Sequence, residues 1–101
     1  MNHSMAMRLT SRLDTDVPRM RHLLEHDAEF DRASILELLS ISTSLREVAA
    51  AVGDAGLSHA AERLLLALRR LAMPSRHISS LERLGLWHLI LEFRTRAGRL
   101  H

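Results

Sequence analysis

Residues 44–71 read SLREVAAAVGDAGLSHAAERLLLALRRL. Two helices and a turn account for this stretch. Ser44 stands three residues before Glu47, the spacing of a capping box. Leu45, Val48 and Val52 follow at i, i+3 and i+7, which is one face of a helix. Gly53 suits the left-handed residue that ends a helix, and Ser58 offers an N-cap for the next. His59 to Met73 is then a run of strong helix formers stopped by Pro74. Ala or Leu fills positions 60, 61, 64 to 68 and 71, which leaves little polar face. This helix is expected at the centre of an all-α fold.

Working outward, Asp16 is a candidate N-cap and Pro18 falls in a first helical turn, where a missing N–H does no harm. A first helix is expected from about Val17 to Ala28, with Val17, Met20, Leu23 and Leu24 as its apolar stripe. Residues 1–15 then form a polar N-terminal arm. Asp27, Glu29 and Asp31 mark the junction into a second helix, which places Ile35, Leu38, Leu39 and Ser42 on one face. The run Ser-Ile-Ser-Thr-Ser at 40–44 favours helix ends. Two readings stay open: a break with a restart at Leu45, or one helix over 32–52. Ser79 and Glu82 form another capping box, for a last helix to about Ala97 with Gly98 as its stop. Arg94, Arg96 and Arg99 lie at its C-terminal end, where the helix dipole favours cations. The expected architecture is one domain over 1–101, a compact bundle of four to five short helices.

Bulk composition narrows the class. Hydrophobic residues make up 47% and charged residues 26% of the 101-residue chain, too apolar for a disordered segment. Aromatics are 3%, so the core must be built from aliphatic side chains, and the few Gly and Pro do not supply the turns of an all-β fold. No Cys is present, which excludes disulfides, thiolate metal sites and a thiol nucleophile. The first residues lack the apolar run of a signal peptide, and no segment has the length of a membrane span. The expected location is cytoplasmic. All fourteen basic residues are Arg, but the formal net charge is only +2, weak support for a nucleic-acid partner.

His22-Leu-Leu-Glu25-His26 has the H-x-x-E-H order of an inverted zinc-protease motif. His22/His26, His59/Glu62 and His88/Glu92 are three pairs at i+3 or i+4 that could build a metal site if all faced inward. Against both stand the small size of the chain, the absence of a Glu-x-x-His order and the nearby Arg63 and Arg96, ordinary ion-pair partners for Glu62 and Glu92. No Gly-rich phosphate loop or strand–turn–helix nucleophile site is present. A protein without catalytic residues, cofactor or metal is expected.

Two binding readings compete. Residues 44–71 resemble a helix-turn-helix: Ala49 and Gly53 are four apart, a turn follows, and a second helix follows that. The resemblance covers about a quarter of the chain, and the Asp-Ala-Gly insertion lengthens the turn. It implies DNA binding through the second helix, with Ser58, His59, Arg63, Arg69 and Arg70 as contacts. The other reading starts from Leu-Gly-Leu-Trp-His-Leu-Ile-Leu-Glu-Phe at 84–93, apolar on nearly every side. Leu84, Trp87 and Leu91 form one stripe; Leu86, Leu89, Ile90 and Phe93 form a second. One stripe can face the core, which leaves the other for a partner. The expected interface residues are Leu84, Trp87, Ile90, Leu91 and Phe93. The leading expectation is a small interaction or regulatory protein that self-associates or docks on a larger protein; the alternative is the DNA-binding regulator.

Overall fold

The computed structural model describes residues 3–26, 32–72 and 78–100, apart from the side chains of His3 and His26. It is all-helical, with four helices among these residues: α1 His3–His26, α2 Arg32–Val52, α3 Ala55–Leu71 and α4 Ser80–Gly98. The Asp27, Glu29 and Asp31 junction and the 73–77 connection lie outside the described residues.

Helix α1 corrects the expected polar arm. It begins at His3 and contains residues 3–15. Ala6, Leu9 and Leu13 continue the spacing of Val17, Met20 and Leu24, and all are buried. Pro18 therefore lies inside the helix rather than in its first turn. An interior Pro costs about 3 kcal/mol. Burying Leu9 and Leu13 contributes about 1.5–3 kcal/mol each, enough to hold the helix together across it. Asp16 is not a cap but the i+4 partner of Arg12, at 3.3 Å.

Helix α2 is unbroken through the Ser-rich run. Ser42, Thr43 and Ser44 each have a use that leaves the backbone ladder intact. Thr43 Oγ1 donates to the Leu39 carbonyl at 2.7 Å, Ser44 accepts from Arg12 Nη2 at 3.0 Å, and buried Ser42 turns toward Met20 Sδ at 4.0 Å. The α2–α3 turn has Gly53 at φ 84, as expected of a left-handed cap. The N-cap of α3 is Asp54 rather than Ser58, its carboxylate accepting from the Leu57 amide at 2.8 Å. The α4 capping box is formed by Ser79 and Glu82 as expected, while the helix runs one residue further, through Gly98 to an Arg99 cap.

Successive helices pack side by side, and α1 also packs against α4. Arg12 reaches Ser44 and Arg19 reaches Glu37, so α1 and α2 run in opposite directions. Arg63 reaches Glu92, and Ala67 and Leu71 border Gly85 and Leu86, so α3 and α4 do the same. These contacts imply a four-helix bundle with overall dimensions 41 × 21 × 19 Å. The core is aliphatic around Phe93: Leu9, Met20, Ile35, Leu38, Leu45, Leu57, Leu65, Leu68, Leu86 and Ile90 are fully buried.

Helix α3 is not the central, all-buried helix its composition suggests. Leu57, Ala60, Ala61, Leu64, Leu65 and Leu68 face inward, and His59, Glu62, Arg63, Leu66, Arg69 and Arg70 face outward. Four helices in a ring each expose one side, so an apolar helix in this fold must leave some Leu in water. Leu66 is the one left there, 50% exposed.

Candidate functional site

The charged side chains on the outside tie neighbouring helices together. Arg19 bridges α1 to Glu37 of α2 at 2.6 Å, Arg46 bridges α2 to Glu62 of α3 at 3.2 Å, and Arg63 bridges α3 to Glu92 of α4 at 2.9 Å. The α4–α1 seam closes differently. Arg83 Nη1 donates to the Leu24 carbonyl at 3.4 Å, in the last turn of α1 where carbonyls lack helical donors. Arg21 lies over the Trp87 ring, 5.9 Å from its centroid, within the range of a cation–π contact. Arg21 Nε also donates to Glu25 at 2.9 Å, so the guanidinium is held from two sides.

This seam carries two hollows that share Arg21 and Trp87. One is lined by Leu13, Asp14, Val17, Pro18 and Arg94 with a volume of ≈ 180 Å³; the other by Leu24, Glu25, Ser80, Arg83 and Leu84, with ≈ 230 Å³. Both are below the roughly 300–1,000 Å³ of pockets that enclose a small-molecule ligand. They follow one another along the groove between α1 and α4. Pro18 brings no amide to the Asp14 carbonyl, and both residues line the first hollow.

Beside the groove, α4 presents apolar surface to water. Leu81 is 78% and Leu84 49% exposed, and Trp87 and Leu91 are half-buried. The expected interface set is therefore split. Leu84, Trp87 and Leu91 form the accessible stripe. Ile90 and Phe93, each 1% exposed, belong to the core and are not available to a partner, because their stripe with Leu86 is the one turned toward the other helices. Leu81 was missed; it stands three residues before Leu84 and extends the same stripe by one turn. The α1 wall was missed as well, since Pro18 and Arg21 face α4 only once α1 is seen to extend through Pro18.

Four of the five expected DNA contacts, His59, Arg63, Arg69 and Arg70, lie on the outward side of α3. Ser58 is half-buried and His59 exposed in the first turns of α3, Arg63 is bound to Glu92, and Arg69 and Arg70 are exposed in the last turn. Arg70 borders a hollow whose opposite wall holds Glu82. The His/Glu pairs do not meet: His22, His59 and His88 are exposed on three different helices, Glu62 holds Arg46, and Glu92 holds Arg63. Among the described residues no three His, Asp or Glu side chains converge on one point. The side chain of His26, and with it the full HLLEH constellation, lies outside the described residues. Among the described residues no helix is long and apolar enough to cross a membrane. No protein-family model, curated protein or solved structure gives a significant match to the chain.

Proposed function

We propose that this chain is a small non-enzymatic interaction protein that works through helix–helix contacts, by self-association or by docking on a larger protein, with α4 as the contacting helix. The observation that carries this is the position of Leu81 and Leu84, large apolar side chains in water beside the half-buried Trp87. Burying such a side chain contributes about 1.5–3 kcal/mol, and apolar side chains clustered beside a groove mark contact surfaces. The test places a photo-crosslinking residue at Leu81 and, as a control, at exposed Glu47 of α2. The expected result in cells expressing the chain is a discrete higher-mass adduct from position 81 and none from position 47. Equal adducts, or none from either, overturn the reading.

The second reading is DNA binding through α3. The exposed His59, Arg69 and Arg70 favour it. Weighing against it, the α2–α3 pair is held two turns from its connection by Arg46 and Glu62, so it packs as a hairpin. The two helices of a helix-turn-helix diverge at about 90–120°.

A further inference from the structure

We propose that the hollow between Leu13 and Arg94 in the α1–α4 seam binds a small apolar α-amino acid in its zwitterionic form, with Asp14 holding the ammonium and Arg94 the carboxylate. This site does not depend on the contact role of α4, and it stands or falls separately from the cross-link at position 81.

The hollow carries two charges that do not meet. In the other three seams an Arg of one helix reaches a carboxylate of the next, at 2.6, 3.2 and 2.9 Å. In the α1–α4 seam Asp14 comes from α1 and Arg94 from α4, and both line the hollow of ≈ 180 Å³. Both are exposed, and among the described residues neither side chain has an ion-pair or hydrogen-bond partner. The third charge on the wall, Arg21, is already held by Glu25 at 2.9 Å. One carboxylate and one guanidinium are therefore uncommitted, on opposite walls. A simple anion entering here meets Asp14, and a simple cation meets Arg21 and Arg94. A zwitterion satisfies both walls. The planar guanidinium matches a carboxylate with two parallel hydrogen bonds, and the Asp14 carboxylate accepts from an ammonium.

The remaining lining sets the body of the ligand. Leu13, Val17, Pro18 and Trp87 are apolar. Leu13 and Val17 are 5% and 4% exposed, so the core fixes their positions and the hollow is formed before anything enters it. Its volume is below that needed by a drug-sized ligand, which leaves a molecule of few heavy atoms, such as an amino acid with a side chain the size of valine's.

The experiment is an NMR titration of the full chain with L-valine, with isovalerate, which lacks the ammonium, and with valinamide, which lacks the carboxylate. The Trp87 indole and the Leu13 and Val17 methyls report on the hollow, and the methyls of exposed Leu36 on α2 are the control. The expected result is a saturable shift of the hollow's signals at millimolar valine, with each truncated ligand bound roughly fivefold or more weakly. Asp14→Asn should weaken valine and at the same time strengthen isovalerate, because the carboxylate that repels the anion is gone. Arg94→Gln should weaken both. Both positions are exposed, so thermal melts of the two variants should match the wild type. No saturable shift, or shifts shared equally by Leu36, overturns the site. Equal binding of the three ligands, or isovalerate binding that Asp14→Asn leaves unchanged, overturns the zwitterion as its ligand.

Discussion

Arg63 of α3 holds Glu92 of α4, one guanidinium nitrogen donating to both carboxylate oxygens at 2.9 and 3.0 Å. The same carboxylate has Arg96 at 3.6 Å on its other side. An arginine in the position of a phosphate contact is thus already neutralised, and releasing it would leave Glu92 facing the phosphate. Arg63→Ala is expected to lower unfolding free energy by only about 0–1 kcal/mol, because the pair is solvent-exposed, and the loss should shrink in high salt. Denaturant titrations at two ionic strengths check this. Duplex affinity at low salt, followed by fluorescence anisotropy, should not change. Binding that disappears in Arg63→Ala/Arg70→Ala would restore the DNA reading.

Two glycines should respond in opposite directions. Gly53 has φ 84, so Gly53→Ala forces a side chain into the left-handed region and should cost about 1–2 kcal/mol. Gly85 lies within α4, and a Cβ added there meets nothing within 4 Å. Gly85→Ala should therefore gain about 1 kcal/mol from helix propensity, raising Tm by roughly 4–8 °C. Thermal melts of the two variants decide it; a Gly85→Ala protein that melts lower would mean that α4 does not lie as described.

The two stripes of α4 make a paired prediction. Phe93→Ala empties a fully buried site and should cost about 3–5 kcal/mol. Leu81→Ala removes an exposed side chain and should change monomer stability by no more than about 0.5 kcal/mol. Urea unfolding at dilute protein concentration separates them. Similar losses for both would mean that Leu81 is covered by the protein's own chain.

Pro18 is expected to be a net cost to α1. Pro18→Ala restores the amide that the Asp14 carbonyl lacks and should stabilise the protein by up to about 3 kcal/mol, with a small rise in helical circular dichroism. An unchanged or lower Tm would show that the ring packs against α4 in a way that an Ala methyl does not replace.

The helical class and the α2–α3 turn were readable because Gly53, the Leu/Val spacing and the Ser79–Glu82 box are local signals that tertiary context left alone. The start of α1 was not. The polar side chains around Leu9 and Leu13 drew the reading toward an arm, although the apolar spacing there continues that of Val17 and Met20. Pro18 reinforced the error, since a Pro near a helix start is common and a Pro spanned by long-range packing has no local mark. For the site, periodicity separated the two α4 stripes but could not say which faced inward; that depends on where α1 and α3 lie. Asp54 captured the cap expected of Ser58 because its carboxylate reaches Leu57 across the short turn.

Three of the four helix pairings join segments adjacent in the sequence, and α1 against α4 is the exception. Short-range pairings form quickly, whereas joining distant segments waits on loop closure. The only Trp in the chain sits in that one long-range seam, beneath Arg21. Its emission therefore reports the docking of the first helix on the last, while far-UV ellipticity reports all four helices. In a refolding experiment the optical signal from this indole should lag the ellipticity wherever the chain accumulates a three-helix species, and the delay between the two probes would time ring closure directly.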